Sequence, residues 1–261
     1  MERLEQMKEM FDGILRVKLH GPADFYFSPW DDILSWMNIQ DGMYEFADNP
    51  EFMKKLVKRY VDVSIDRAKL CEELGIVSSN NRNILVAAGG YGYTSELPPP
   101  TESGIGAKLI DNWGDNRDQI FTAVSPEMCE EFAFDFEKPW TDLFGLNYYG
   151  CCEDMTKKIK AVNKLTRLRK LTVPPASYYN LEPIMEEMGK DIVVSFKPNP
   201  TYLSTTPLRM DLAKEEIIRA CKLARKYGCS MEILMKTLIT LDNDPTRLWD
   251  WCSMATEIAG D

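Results

Sequence analysis

The sequence predicts an α/β fold of strand–helix units around a parallel sheet, of the TIM (β/α)8-barrel type rather than a nucleotide-binding type. Six short apolar runs read as strands: 16–20 (RVKLH), 83–88 (NILVAA), 146–151 (LNYYGC), 169–173 (RKLTV), 191–197 (DIVVSFK) and 231–236 (MEILMK). Longer stretches of helical period separate them, and that alternation is the grammar of parallel sheets. No G-x-G-x-x-G follows the first run, and GGYGY at 89–93 lacks the Lys-Ser/Thr of a phosphate loop.

In chain order, run 16–20 closes at Gly21-Pro22, and Ser28-Pro29 is a cap and opening for a helix. Asn49-Pro50 then opens a long amphipathic helix. Its apolar positions Met53, Leu56, Val57, Tyr60, Val61, Ile65, Leu70, Cys71 and Leu74 keep the 3.6 period, and Gly75 ends it. Run 83–88 exits into a Gly- and Pro-rich loop, GGYGYTSELPPPTESGIG. Ser125-Pro126-Glu127 starts a helix expected to stop by Lys138, because Pro139 disfavours a helical residue before it. The last four runs alternate with helices, the clearest being 211–227, closed by Gly228, and a final helix covers 245–259. No linker divides the chain, so residues 1–261 read as one domain.

Composition narrows the function. With 31 Lys and Arg against 41 Asp and Glu, the net charge is −10, and such a surface repels phosphate backbones. No apolar run approaches the roughly 20 residues of a membrane span. The single histidine, His20, excludes a two-His zinc helix. Seven cysteines, an odd number, do not form a secreted disulfide framework, and the charged N-terminal stretch is unlike a signal peptide. The expectation is a cytoplasmic protein that binds a small molecule and neither nucleic acid nor membrane.

In a barrel the residues after each strand carry the chemistry. His20 follows the first run as a base, a ligand or a satisfied structural residue. Tyr91 and Tyr93 stand among glycines that either let a ligand approach or make a rigid turn. Cys151-Cys152-Glu153 offers thiolates and a carboxylate for zinc, and a zinc-bound thiolate accepts methyl groups; the alternative is a buried thiol beside a helix-capping acid. Alternation sends Cys151 and Cys152 to opposite faces. Lys197 and Lys236 end apolar runs, so their amines need an anion, an acid or water at the barrel mouth.

DNPEFMKKLVKRY, VSPEMCEEFAFDF, FGLNYYGCCED and DIVVSFKPNP together resemble the uroporphyrinogen decarboxylase superfamily, which includes zinc-dependent corrinoid methyltransferases. The resemblance implies a (β/α)8 barrel with its pocket at the C-terminal mouth. RVKLHGPADF resembles the family's third strand region, so this chain supplies six strands of a partial barrel and lacks positions matching the decarboxylases' N-terminal arginines and aspartate. Cys152 matches a methyltransferase zinc cysteine, Gly150 stands where the family has a histidine, and Lys236 lies near a later cysteine.

The resemblance thus implies corrinoid-linked methyl transfer on a small substrate, with zinc and a corrinoid-carrying partner protein. Cys152 and Glu153 are the implied metal ligands and, with Lys197 and Lys236, the catalytic set. His20, Tyr91, Tyr93, Trp113 and Tyr149 are the expected substrate contacts. Tetrapyrrole decarboxylation is one alternative. The other is a non-catalytic subunit whose open sheet edges are covered by a homodimer mate or another partner chain.

Overall fold

The computed structural model describes residues 2–260. Helix α1 (Glu2–Met10) precedes strand β1 (Tyr26–Phe27) and three helices, α2 (Pro29–Ser35), α3 (Ile39–Asp48) and α4 (Pro50–Glu73). A hairpin of β2 (Leu85–Val86) and β3 (Gly90–Tyr91) leads to β4 (Trp113–Asn116). Next come α5 (Pro126–Cys129), a π-helical turn (Glu130–Phe134) and α6 (Asp135–Thr141). Strands β5 (Leu146–Tyr149), β6 (Leu168–Val173), β7 (Val193–Phe196) and β8 (Met231–Ile233) then alternate with α7 (Ile159–Val162), α8 (Leu181–Met188), α9 (Thr201–Ser204) and α10 (Met210–Tyr227). Helix α11 (Thr246–Gly260) follows β8.

Six strands form one parallel sheet in the order β1-β4-β5-β6-β7-β8. Because the order never reverses, right-handed crossovers put the intervening helices on one face, whereas a doubly wound sheet would reverse at a switch point. This arrangement is compatible with a barrel, although no pairing joins β8 to β1 among the described residues. The helix-facing side is apolar: Phe27, Tyr149, Leu171, Val194 and Phe196 are buried with Val57, Val61, Trp140, Ile184 and Ala220. Phe27 stacks on Trp140 with ring centroids 4.5 Å apart. Burying each large side chain of this kind contributes about 1.5–3 kcal/mol.

The opposite face of the sheet is mixed, with an apolar cluster of Val86, Leu97, Trp113, Leu146 and Tyr148 under the hairpin and buried polar side chains beside it. By strand alternation it carries Tyr148, Lys170, Thr172, Ser195 and Lys197, all buried. The β2–β3 hairpin covers part of it. Gly90 makes the approach possible, since a Cβ there would meet Glu232, Tyr148 and Lys170 at 2.5, 2.7 and 2.9 Å. Lys170 donates to the Tyr91 carbonyl at 2.8 Å, and the Trp113 indole donates to the Gly92 carbonyl at 2.8 Å.

Four expectations need correction. Run 16–20 is not a strand: its charged side chains are exposed, no strand lies beside it, and the first strand is β1, six residues beyond. Run 83–88 contributes only β2, which turns back through Ala87 (φ 52°) and Gly89 (φ 107°) into an antiparallel hairpin outside the main sheet. The fully buried strand β4 has the sequence WGDN, whose polar residues and glycine do not read as a strand. The helix after Ser125 also runs through Pro139 to Thr141. Burial of Trp140 and Thr141 favours the continued helix past Pro139.

Candidate functional site

The C-terminal ends of β5, β6, β7 and β8 open on a cavity of about 220 Å³. Cys151 and Cys152 line it beyond β5, Pro174 and Pro175 beyond β6, Lys197 and Pro198 beyond β7, and Lys236 and Thr237 beyond β8. Parallel strands deliver these loops to one end of the sheet, which is why residues 85 positions apart converge. The prolines stiffen the wall, and the thiols and amines are its reactive groups.

Gly150 sets the position of the thiols. Its φ is +96°, its N–H donates to the Asn116 carbonyl at 2.8 Å, and a Cβ there would meet the Met155 methyl at 2.9 Å. The chain turns sharply at Gly150, so Cys151 and Cys152 leave the strand alternation, and their sulfurs lie 3.5 Å apart instead of on opposite faces. A histidine at this position would carry both left-handed backbone strain and a clash.

Lys236 Nζ donates to Cys151 Sγ at 2.9 Å and lies 3.9 Å from Cys152 Sγ. Burial and the neighbouring Cys151 push the Cys152 thiol up, and the Lys236 charge pulls it back. Lys197 is only 2% exposed. Its amine bonds Ser195 Oγ at 2.7 Å, and no carboxylate stands within salt-bridge distance of it among the described residues. Burial holds Lys197 well down, to about 8; Glu232 opposes the shift, while Lys236 and Lys170 add to it. Glu232 itself is engaged by Lys170 at 3.0 Å. Beneath Lys197, the Tyr148 hydroxyl meets Thr172 Oγ1 at 2.6 Å.

The cavity therefore brings together Cys152, Lys197 and Lys236. Glu153 is not among its residues. It is buried, accepts from the Cys151 N–H at 2.8 Å and faces Lys158 at 3.8 Å. It belongs to a second buried group with Asp118, Glu137 and Tyr149, on the helix side of the sheet. Burial and mutual repulsion raise the Asp118 carboxyl well above its ordinary range, and burial raises Glu137. The Lys158 ammonium opposes the rise in both acids.

The expected substrate contacts do not line the cavity. Tyr149 faces the helices, packed edge-on to Phe134 at 5.7 Å. His20 is exposed, ahead of β1 at the end where the strands begin. Tyr91 and Tyr93 point to solvent, and Trp113 is buried under the hairpin at the start of β4. The residues not foreseen are Ser195, Thr172 and Tyr148. Strand alternation gives the signal for Ser195, two positions before Lys197 and hence on its face.

A zinc ion needs three or four converging donors. Here two thiols converge, Lys236 occupies their open side, and Glu153 is turned away. Among the described residues no three His, Cys, Asp or Glu side chains form a metal cluster. The residues do not fit the zinc centre expected at Cys152 and Glu153. No helix among the described residues is long and apolar enough to cross a membrane. No family model, curated protein or solved structure matches this chain.

Proposed function

We propose that this chain is an enzyme acting on a small carboxylate-bearing substrate in the cavity, with Lys197 and Lys236 anchoring the substrate and Cys152 receiving a carbon group. The carrying observation is the convergence of two amines and two thiols on one small, proline-walled space. A site of two cations attracts an anion, and a thiol freed of its proton is a good nucleophile. The reaction is then alkyl transfer: the sulfur forms a bond to carbon, and the leaving group departs with the electron pair.

Methyl transfer with a corrinoid-carrying partner is the form of this chemistry that the resemblance to the decarboxylase–methyltransferase superfamily suggests. The sequential parallel sheet accords with a barrel of that kind. Tetrapyrrole decarboxylation is disfavoured by size, because 220 Å³ is below the ~300–1,000 Å³ of sites for drug-sized ligands. The edges of β1 and β8, unpaired among the described residues, support one further reading, a second chain that completes the sheet, and native mass spectrometry tests it. All seven cysteines are free, which suits a reducing compartment.

Protection of Cys152 tests the main reading. Small carboxylates should slow its alkylation by a neutral reagent, while the matching amides should not. Equal protection by acid and amide, or none by either, overturns the proposal.

A further inference from the structure

We infer that Lys197 anchors its substrate covalently, as an imine to the carbonyl carbon of a small oxo acid, with Lys236 holding the acid's carboxylate. The inference rests on the small-carboxylate reading above and gives that substrate a second functional group.

The argument starts from what Lys197 lacks. A buried lysine ordinarily meets a carboxylate, because an unpaired buried ammonium is costly. Lys170, on the neighbouring strand, follows that rule with Glu232 at 3.0 Å. Lys197 is 2% exposed, lines the same cavity as the thiols, and has the neutral Ser195 hydroxyl as its hydrogen-bond partner at 2.7 Å. A buried amine with no carboxylate in salt-bridge range and other cations nearby is the arrangement that activates lysine as a nucleophile. The proton balance agrees: burial, against the pull of Glu232 and with the charges of Lys236 and Lys170 adding to it, lowers Lys197 to about 8, leaving a useful fraction as free amine near neutrality.

The step balances without a cofactor. The free amine nitrogen bonds the carbonyl carbon; the carbonyl oxygen takes up two protons, one released by the nitrogen and one from solvent, and leaves as water, so that the product is the protonated imine. Ser195 is placed to pass these protons, and Tyr148 beneath it is held as a phenol far above neutrality by burial. A protonated imine then withdraws electrons from the adjacent carbon, which activates a 2-oxo acid at its neighbouring C–H bond and a 3-oxo acid for loss of its carboxylate as CO2. Lys236, beyond the neighbouring strand β8, holds the carboxylate.

The test is borohydride trapping on the full chain with pyruvate and, separately, acetoacetate, followed by peptide mapping. The expected result is one reduced adduct at Lys197 with at least one acid. Its yield should rise with pH through about 8 and fall at least about tenfold in Lys236→Gln. Cys152 protection by each acid, measured without borohydride, separates the two levels of the account. Protection with no adduct at Lys197, or with adducts spread equally over surface lysines, overturns the imine and leaves the carboxylate site standing. Neither protection nor adduct overturns both.

Discussion

Lys236 and Cys151, 85 residues apart in the chain, meet with amine and sulfur 2.9 Å apart, and the Cys152 sulfur lies 3.9 Å from the same amine. Replacing that ammonium by a neutral group removes the charge that draws the Cys152 thiol down. In Lys236→Gln, the pH profile of Cys152 alkylation should move to higher pH, and the rate at pH 8 should fall several-fold. Site-resolved mass spectrometry gives the profile, with exposed Cys252 as an internal reference.

Lys197 predicts a stability effect of definite sign. Its folded-state value of about 8 lies below the ordinary 10.5. Between these values the unfolded chain binds a proton that the folded chain does not, so stability rises with pH across that window. Below pH 8 the full cost of burying the cation is present, about 3 kcal/mol at 1.36 kcal/mol per pH unit. Lys197→Met should therefore be more stable than the parent at pH 7, by an amount approaching that figure, and the gain should vanish by pH 10.5. Urea melts at a series of pH values measure this.

Glu216 on α10 works in the other direction. Its carboxylate accepts from the Asn199 N–H at 3.0 Å and so tethers the loop after Lys197, while burial pushes it up to about 7. Between pH 4.5 and 7 the folded chain keeps a proton that the unfolded chain has lost, so stability falls as pH rises through that range. Glu216→Gln keeps an acceptor oxygen and removes the charge. It should be stabilised by up to about 3 kcal/mol at pH 8 and be unchanged at pH 4.

Much of this site was legible because a charge at the end of an apolar strand has few places to go. Lys197 and Lys236 stood out on that ground, and both reach the mouth of the sheet. The two-residue strand β1 has no periodicity to read, and β4 carries Asp115 and Asn116, which become acceptable core residues only through Arg117 and Glu137. Those partners are set by the fold, not by local pattern. The tyrosine pair shows the limit of alternation: it puts one ring on each face, but choosing between Tyr148 and Tyr149 requires the strand's orientation. Cys151 and Cys152 met against expectation because Gly150 breaks the alternation just before them.

Gly150 therefore predicts its own test. Gly150→Ala adds left-handed strain and a contact with Met155, and should cost about 1–3 kcal/mol in chemical denaturation. It should also weaken the protection that small carboxylates give Cys152 against a neutral alkylating reagent, since the thiols move relative to Lys236.

The central claim is that the thiols sit in a pocket built for a small carboxylate. The most direct measurement is the rate of Cys152 alkylation by iodoacetate relative to iodoacetamide, which differ in charge at nearly constant size. If Lys197 and Lys236 attract the acid, the ratio at Cys152 should exceed that at Cys252 on the order of tenfold and collapse in Lys236→Gln. Equal ratios at the two cysteines would contradict the account.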